Sequence, residues 1–343
     1  MKDNKKYKKA EYGILITGLI ILLAVACIIA LCAGQYSVSV PEVIKILASR
    51  FVNVTKTWSN TAEGVVFTLR LPRIIGAVLV GSALSLSGAA YQGVFKNPLV
   101  APDLLGVSSG ACVGASVAIL LHLNSFGVQA MAFVAGILAV GLTLFIPRLI
   151  KNTNMTMLVL SGIIVKGIMD SVMGIIKYVA DPETELQSIT YWQLGSLTKV
   201  LPKDLFTVGP VIVAASVIIF LLRWRINILS LGDREAKTLG VSVTIVRNFI
   251  IICATLLTAS AVCISGTIGW IGLVIPHFAR MLTGPDNTKA IPASILIGAI
   301  FMVAIDTLAR ALTSVELPLS ILTGIIGAPF YIIILARQRM KLS

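Results

Sequence analysis

Four ionisable residues at intervals of four, seven and four lie within one long apolar stretch of the sequence. They are Lys166, Asp170, Lys177 and Asp181. On an α-helix these positions fall within about 60° of one another, and Met173 lies on the same face. Lys166 lies about 16 Å along such a helix from Met155, near the middle of a bilayer. Charged side chains at that depth are costly and usually face a protein interior or a water-filled cavity.

Two interpretations of this charged face are open. Neighbouring charges could neutralise one another, Lys166 with Asp170 and Lys177 with Asp181, while packed against other helices. The alternative, which we favour, is that the face lines a translocation path and offers alternating charge to a polar, charged cargo. The path-lining residues are then predicted to be Lys166, Asp170, Met173 and Lys177.

Patterns typical of catalysis or metal binding are not evident. The sequence contains no G-x-x-x-x-G-K-[ST] phosphate loop and no H-E-x-x-H motif. The serines of GVSSG at 106–110 have no evident base nearby, so we do not interpret them as nucleophiles. The two histidines are far apart in sequence, and all five cysteines lie in apolar stretches without ligand spacing. We expect no catalytic residue, no cofactor and no metal site in this chain.

The elements that must position these residues are membrane helices. Of the 343 residues, 57% are hydrophobic and 13% are charged, whereas a soluble domain has about a quarter charged residues. The apolar residues form runs of about 20, the length that crosses a bilayer as a helix. The net charge of +13 is distributed in short segments between these runs. That placement indicates a lipid bilayer rather than a nucleic acid as the partner.

We predict an all-α polytopic membrane protein with about ten transmembrane helices in a single domain, 1–343. A repeat of five plus five inverted helices is possible, although no direct repeat is visible. Lysine and arginine precede the first span, follow the last and lie between spans on the same side. This bias predicts that both termini are cytoplasmic. The predicted spans are 13–33, 74–94, 104–122, 127–147, 155–179, 205–223, 244–264, 267–282, 291–312 and 318–336.

Three connecting segments have distinctive sequences. The outer segment 34–73 is predicted to contain a short helix near 41–51, and the inner segment 224–243 one or two short helices broken at Gly232 and Gly240. In the inner segment 91–106 two prolines prevent a continuous helix, so it is either a gate or a rigid turn. The glycines at 106, 110 and 114 permit close helix contact, within this chain more readily than across a dimer seam.

Four longer motifs resemble the FecCD-type permease family, the membrane subunits of ABC importers for iron-siderophores, haem and vitamin B12. The motifs are LRLPR at 69–73, GSALSLSGAAYQGVFKNPLVAPDLLGVSSGA at 81–111, GTIGWIGLVIPHFAR at 266–280 and ELPLSILTGIIGAPFYIIIL at 316–335. The resemblance covers essentially the whole chain except the basic N-terminal tail and 50–66.

This resemblance implies ten helices per subunit and a homodimer or closely related heterodimer of permeases. It also implies two cytoplasmic ATPase subunits, which use the ATP, and an extracytoplasmic substrate-binding protein. The chain would then be a transport subunit in a bacterial cytoplasmic membrane and not an enzyme. A ferric siderophore is the expected cargo because most of the family carries one, with cobalamin or haem as alternatives. An ion-coupled secondary transporter, with Lys166 and Asp170 as a relay, is the alternative from another class.

The resemblance also implies roles for individual residues. The segment 229–241 matches the family's coupling helices, which dock on the ATPase, and the residues concerned are Leu231, Gly232, Asp233, Ala236, Leu239 and Gly240. Docking of the binding protein's carboxylates would fall to Arg70, Arg73 and Arg310. The alternatives are snorkelling for Arg70 and Arg73, and an internal pair with Asp306 for Arg310. The inner gate would comprise Asn97, Leu99, Met155 and Thr156.

Overall fold

The fold is helical throughout the described part of the chain. The computed structural model describes residues 2–152, 154–313 and 315–339, with side chains for 10–332 outside those gaps, and every regular element within these ranges is a helix. This confirms the predicted all-α class. The α-helices are α1 (Lys2–Cys32), α2 (Val40–Ala48), α3 (Asn60–Gly64), α4 (Leu71–Phe95), α5 (Val107–Leu120), α6 (Ser125–Leu149), α7 (Met155–Val179), α8 (Glu185–Leu194), α9 (Pro202–Leu231), α10 (Asp233–Thr238), α11 (Val243–Ser265), α12 (Ile271–Thr283), α13 (Asn287–Ala311) and α14 (Leu319–Arg339).

Seven helical stretches within the described ranges are long and apolar enough to cross a bilayer. They are Ala10–Cys32, Asn60–Phe95, Ser125–Leu149, Met155–Val179, Pro202–Leu231, Val243–Ser265 and Asn287–Ala311. Three shorter apolar helices cover Val107–Leu120, Ile271–Thr283 and Leu319–Ile332. Each predicted span overlaps one of these helices, but the short length of three of them means that the count of ten stays a prediction, as does the inverted repeat.

Several element boundaries differ from the prediction. The second span begins at Asn60 rather than near 74, because α3, a π-helical segment (Val65–Arg70) and α4 form one continuous helical stretch. Pro72 lies directly after the π-helical segment, at the start of α4, where the helix changes from i→i−5 to i→i−4 hydrogen bonds. The short helix predicted near 41–51 is confirmed as α2. Helix α8, in the outer segment 180–204, was not predicted.

The centre of the bundle is α4, and glycine allows other helices to reach its backbone. A Cβ atom at Gly88 would lie 1.8 Å from the carbonyl oxygen of Gly272 in α12, and one at Gly81 would lie 2.2 Å from that of Gly298 in α13. Close packing of this kind replaces the missing hydrophobic driving force within a membrane.

The glycine repeat at the start of α5 packs against α6 of the same chain. A Cβ atom at Gly114 would lie 2.3 Å from the carbonyl oxygen of Met131, and one at Gly110 would lie 2.5 Å from the Cβ of Ala139. The interpretation of this repeat as packing within the chain is therefore confirmed. Gly106, with φ +81°, joins α5 to a preceding 3₁₀ turn, Pro102–Leu105.

Candidate functional site

The end of the bundle at which α4 and α9 terminate, here called the inner end, contains α10. This helix is bounded by Gly232 (φ +144°) and lies just before Gly240 (φ +76°), so both predicted breaks are confirmed. Leu231 and Leu239, on either side of α10, are 65% and 59% exposed. Two large apolar side chains therefore flank a short polar helix on the surface of this chain.

Ala236 does not belong to that surface. Its exposure is 0%, because α10 turns this residue towards the rest of the chain. The prediction that Ala236 contributes an apolar docking point is therefore wrong. Its side chain attaches α10 to the bundle instead, while Gly240 has open space around its Cα.

Asp233, the first residue of α10, forms ion pairs with two other elements. Its carboxylate accepts from Lys96 Nζ at 3.0 Å and from Arg247 Nη2 at 2.7 and 2.9 Å. Hydrogen bonding by Arg247 and then by Lys96 lowers the pKa of Asp233 below its ordinary value, so the carboxylate is ionised at neutral pH. Lys96 immediately follows α4, and Arg247 lies in the first turns of α11.

The predicted gate residues lie at the same inner end. Asn97 and Leu99 are exposed in the segment 96–101, here called the inner loop, and the Asn97 Oδ1 accepts from the Leu99 N–H at 2.9 Å. Met155 is half-buried and Thr156 exposed at the start of α7. Among the described residues no hydrogen bond or ion pair joins Asn97 or Leu99 to Met155 or Thr156, so the gate stays a prediction.

Gln92 of α4 holds the far end of the inner loop, and sequence reasoning missed it. Its Nε2 donates to the carbonyl of Val100 at 3.2 Å and to that of Gly272 at 3.3 Å, and its Oε1 accepts from Arg280. Gln92 lies in the motif at 81–111 and Arg280 in the motif at 266–280, and this placement was the signal available in the sequence. The loop is thus anchored on α4 and α12, as a rigid turn requires, while Asn97 and Leu99 remain exposed.

A cavity of about 180 Å³ lies where the 3₁₀ turn before α5 meets the start of α12. Its lining includes Asp103, Ser108, Thr258, Thr267 and Trp270. Asp103 Oδ2 accepts from Lys166 Nζ at 3.2 Å, and its Oδ1 accepts from the Ser108 N–H at 3.1 Å. The ion-pair partner of Lys166 is thus Asp103, which contradicts the alternative interpretation in which Lys166 and Asp170 neutralise each other. The ion pair is half-exposed, beside the cavity.

The remaining residues of the charged face differ in exposure. Asp170 is exposed and Lys177 is half-buried. Met173 is only 7% exposed, because it packs in a small cluster with Cys112 and Ile176, and its sulfur lies 3.5 Å from the Ser116 hydroxyl. Met173 is therefore buried between helices in the described conformation, which contradicts its predicted place on an open, path-lining face.

At the opposite, outer end, two arginines cap the C-terminus of α1. Arg70 donates to the carbonyls of Leu31 and Cys32, at 2.6 and 3.2 Å, and to that of Tyr36. Arg310 donates to the carbonyl of Ala33 at 3.0 Å and to that of Ala30. The last carbonyls of a helix lack partners within it and carry partial negative charge, so cations stabilise them.

Arg73 forms the buried ion pair of this outer cluster. Its Nε donates to both carboxylate oxygens of Asp306, at 2.8 and 3.0 Å, and its Nη1 to Glu316 at 2.8 Å. Burial raises the pKa of Glu316, but hydrogen bonds from Arg73 and Thr198 outweigh it and hold that pKa below its ordinary value. Arg310 Nε lies 3.7 Å from Asp306, as the internal-pair alternative predicted.

The three arginines predicted to dock a binding protein are buried and are not part of an open surface. Arg70, Arg73 and Arg310 are 5%, 8% and 7% exposed, and each has internal partners. Snorkelling of Arg70 and Arg73 is excluded by the same contacts. Docking of a binding protein on them stays a prediction, and it requires these internal contacts to be exchanged.

Comparison with known proteins places this geometry in a family. The model of the FecCD transport family matches residues 22–337, most of the chain. The chain belongs to the FecCD transport family. It is therefore a multi-pass membrane permease of the ABC importer type, which removes the alternative of an ion-coupled secondary transporter.

Two known permease proteins and a solved structure resemble the chain over most of its length. The molybdate import system permease protein MolB of Haemophilus influenzae is 37% identical over 94% of this chain and 95% of its own. The hemin transport system permease protein HmuU of Yersinia pestis is 35% identical over 87% and 91%. A solved structure described as an inward-facing metal-chelate type ABC transporter matches with a TM-score of 0.84 and 35% identity, covering 94% of this chain and 98% of that one.

Proposed function

We propose that the chain is the permease through which an ATP-driven importer moves an iron chelate into the cell. Its partners are two cytoplasmic ATPase subunits, a second permease subunit and an extracytoplasmic binding protein. The inner end faces the cytoplasm. ATP is bound and hydrolysed by the partner ATPase subunits.

The observation that carries the ATP-driven assignment is the surface around α10. Leu231 and Leu239 expose apolar side chains at an end rich in charged residues, and the glycines beside them give α10 sharp ends. Exposed apolar residues rimmed by polar ones mark protein interaction sites. The acceptor is the ATPase subunit, because α10 lies in the segment that matches the coupling helices of the family.

The experiment is capture of the ATPase by the permease. Leu231→Ser with Leu239→Ser should lower the amount of ATPase that co-purifies, since each substitution removes an exposed apolar contact. Leu149→Ser is the matched control: Leu149 ends α6 at the same inner end and is 69% exposed, but lies outside the α10 segment. Equal capture by the double variant and the control would contradict the docking role of α10.

An iron chelate is favoured over a bare oxyanion by the charges near the cavity. Lys166 pairs with Asp103 at 3.2 Å, and Asp170 and Lys177 add one carboxylate and one ammonium group on the same helix, so this face has no excess of cations. A free dianion would require an excess of cationic donors at that depth. A chelate is larger and presents both apolar and polar surface, which suits a half-exposed ion pair beside a cavity with both polar and apolar lining residues.

An oxyanion of the molybdate type is the second candidate, because MolB is 37% identical over 94% of the chain. The two candidates are separated by uptake into proteoliposomes that contain the complete importer. Radioactive iron supplied as ferric siderophore or haem should accumulate and resist competition by excess molybdate. Accumulation of molybdate, with no iron uptake, would replace the iron chelate by the oxyanion.

A further inference from the structure

The inner loop begins at a residue whose backbone is held in an unusual conformation. Helix α4 ends at Phe95, and Lys96 adopts φ +52°, with its N–H bonded to the carbonyl of Gln92. The left-handed conformation turns the chain sharply out of the helix. The Lys96 side chain therefore leaves the bundle at the point where the chain enters the inner loop.

The other end of the Lys96 contact is α10. Lys96 Nζ lies 3.0 Å from Asp233 Oδ1, across 137 residues of sequence. Asp233 is the first residue of α10, directly after Gly232 with φ +144°. Fully buried Ala236 holds α10 against the bundle, and Arg247 lies 2.7 Å from the same carboxylate. The Asp233 side chain is therefore held in place.

The inner loop is attached to other elements at both of its ends. At its far end, Gln92 bonds the carbonyl of Val100 at 3.2 Å, within the bundle. At its near end, the N–H groups of Lys96 and Asn97 bond the Gln92 carbonyl of α4, and the Lys96 side chain is bonded to α10. A displacement of α10 would therefore act on the near end of the loop, next to Asn97 and Leu99, while the far end is held by α4.

We propose that the Lys96–Asp233 ion pair transmits movement of α10 to the inner loop, and so couples the ATPase to the inner mouth of the path. Lys96 and Asp233 are positioning residues, which act through the loop and touch neither cargo nor nucleotide. The inference rests on the proposed docking of the ATPase at α10. The side chains are 34% and 48% exposed, so the pair can break and re-form as α10 moves.

The test uses the full importer in proteoliposomes, with a single cysteine at Leu99 in a permease that otherwise lacks cysteine. The measurement is the labelling rate with a water-soluble maleimide, without nucleotide and with a trapped ATP analogue. Lys96→Met should reduce the nucleotide-dependent change in that rate about fivefold, the equivalent of an exposed ion pair of about 1 kcal/mol. Lys96→Arg, which preserves the cation, should restore it.

Lys151→Met is the matched control. Lys151 is an exposed lysine of the inner end, follows α6 and has φ +56°, but forms no ion pair with any described residue. Lys151→Met should leave the nucleotide-dependent labelling rate of the cysteine at Leu99 the same as in the parent permease. An unchanged nucleotide response in Lys96→Met, failure of Lys96→Arg to restore it, or loss of ATPase co-purification from Lys96→Met would each overturn the link. Failure of the unmodified permease to capture the ATPase would instead overturn the proposed function, and the link with it.

Discussion

Replacement of Arg73 by methionine should destabilise the chain by leaving Asp306 as a buried charge without its main partner. Asp306 is 1% exposed in its side chain, and it accepts two hydrogen bonds from Arg73, at 2.8 and 3.0 Å. Removal of one member of a buried ion pair costs about 3–5 kcal/mol. Since Arg310 remains 3.7 Å from Asp306, we expect a loss near the lower end, about 3 kcal/mol.

The second arm of this experiment removes the orphaned charge. The double variant Arg73→Met with Asp306→Asn should lose at least about 1.5 kcal/mol less free energy of unfolding than the two single variants lose in sum, because residues in one ion-pair network are strongly coupled. The free energy of unfolding is measured by SDS titration in mixed micelles. Arg225→Met is the control: Arg225 is exposed and forms no ion pair among the described side chains. Additive single effects, or an Arg73→Met variant as stable as the control, would refute the buried-pair argument.

Three further predictions follow from other contacts. Gly88→Ala places a Cβ atom 1.8 Å from the Gly272 carbonyl oxygen, so it should lower the free energy of unfolding by about 3 kcal/mol or more. This variant should give no monodisperse peak on gel filtration, whereas Gly141→Ala, whose Cβ meets no atom within 4 Å, should give one. In the assembled importer, Asp170→Cys should react with a water-soluble thiol reagent, whereas Ile168→Cys, on the lipid-covered face, should stay protected; equal reactivity would reject a path-lining face. Because the pKa of Glu316 is lowered on folding, this carboxylate stabilises the fold above its ordinary pKa of 4.5, and the stabilisation is lost as pH falls through the lowered pKa. Between pH 7 and pH 3, the midpoint temperature of unfolding of the unmodified chain should therefore converge with that of Glu316→Gln. A difference that stays constant with pH would contradict this sign.

The helices were predictable because apolar runs of membrane length are a local property of the sequence. The breaks at Gly232 and Gly240 were predictable for the same reason, since glycine supplies the positive φ angles found there. Boundaries were less accurate where polar residues extend a helix beyond the apolar run. Helix α9 continues to Leu231 rather than ending near 223, because backbone hydrogen bonds do not require an apolar side chain.

The partners of charged residues were not predictable, because they depend on contacts between distant segments. Arg73 and Asp306 are separated by 233 residues, and Lys166 and Asp103 by 63. The sequence predicts docking roles for Arg70 and Arg310, whereas both side chains donate hydrogen bonds to carbonyls at the C-terminal end of α1 that have no partner within the helix. Similarly, helical spacing alone could not show that Ala236 and Met173 face the interior.

The central claim is that movement of cargo through this permease is driven by ATP hydrolysis in a docked partner. It is tested most directly by iron uptake into proteoliposomes that contain the permease and ATPase, with binding protein and ferric chelate outside and ATP inside. Iron should accumulate only when all three proteins and hydrolysable ATP are present, and this accumulation should be lost when Leu231→Ser and Leu239→Ser remove the exposed side chains beside α10. Uptake that proceeds without ATP, driven by an ion gradient across the same vesicles, would contradict it.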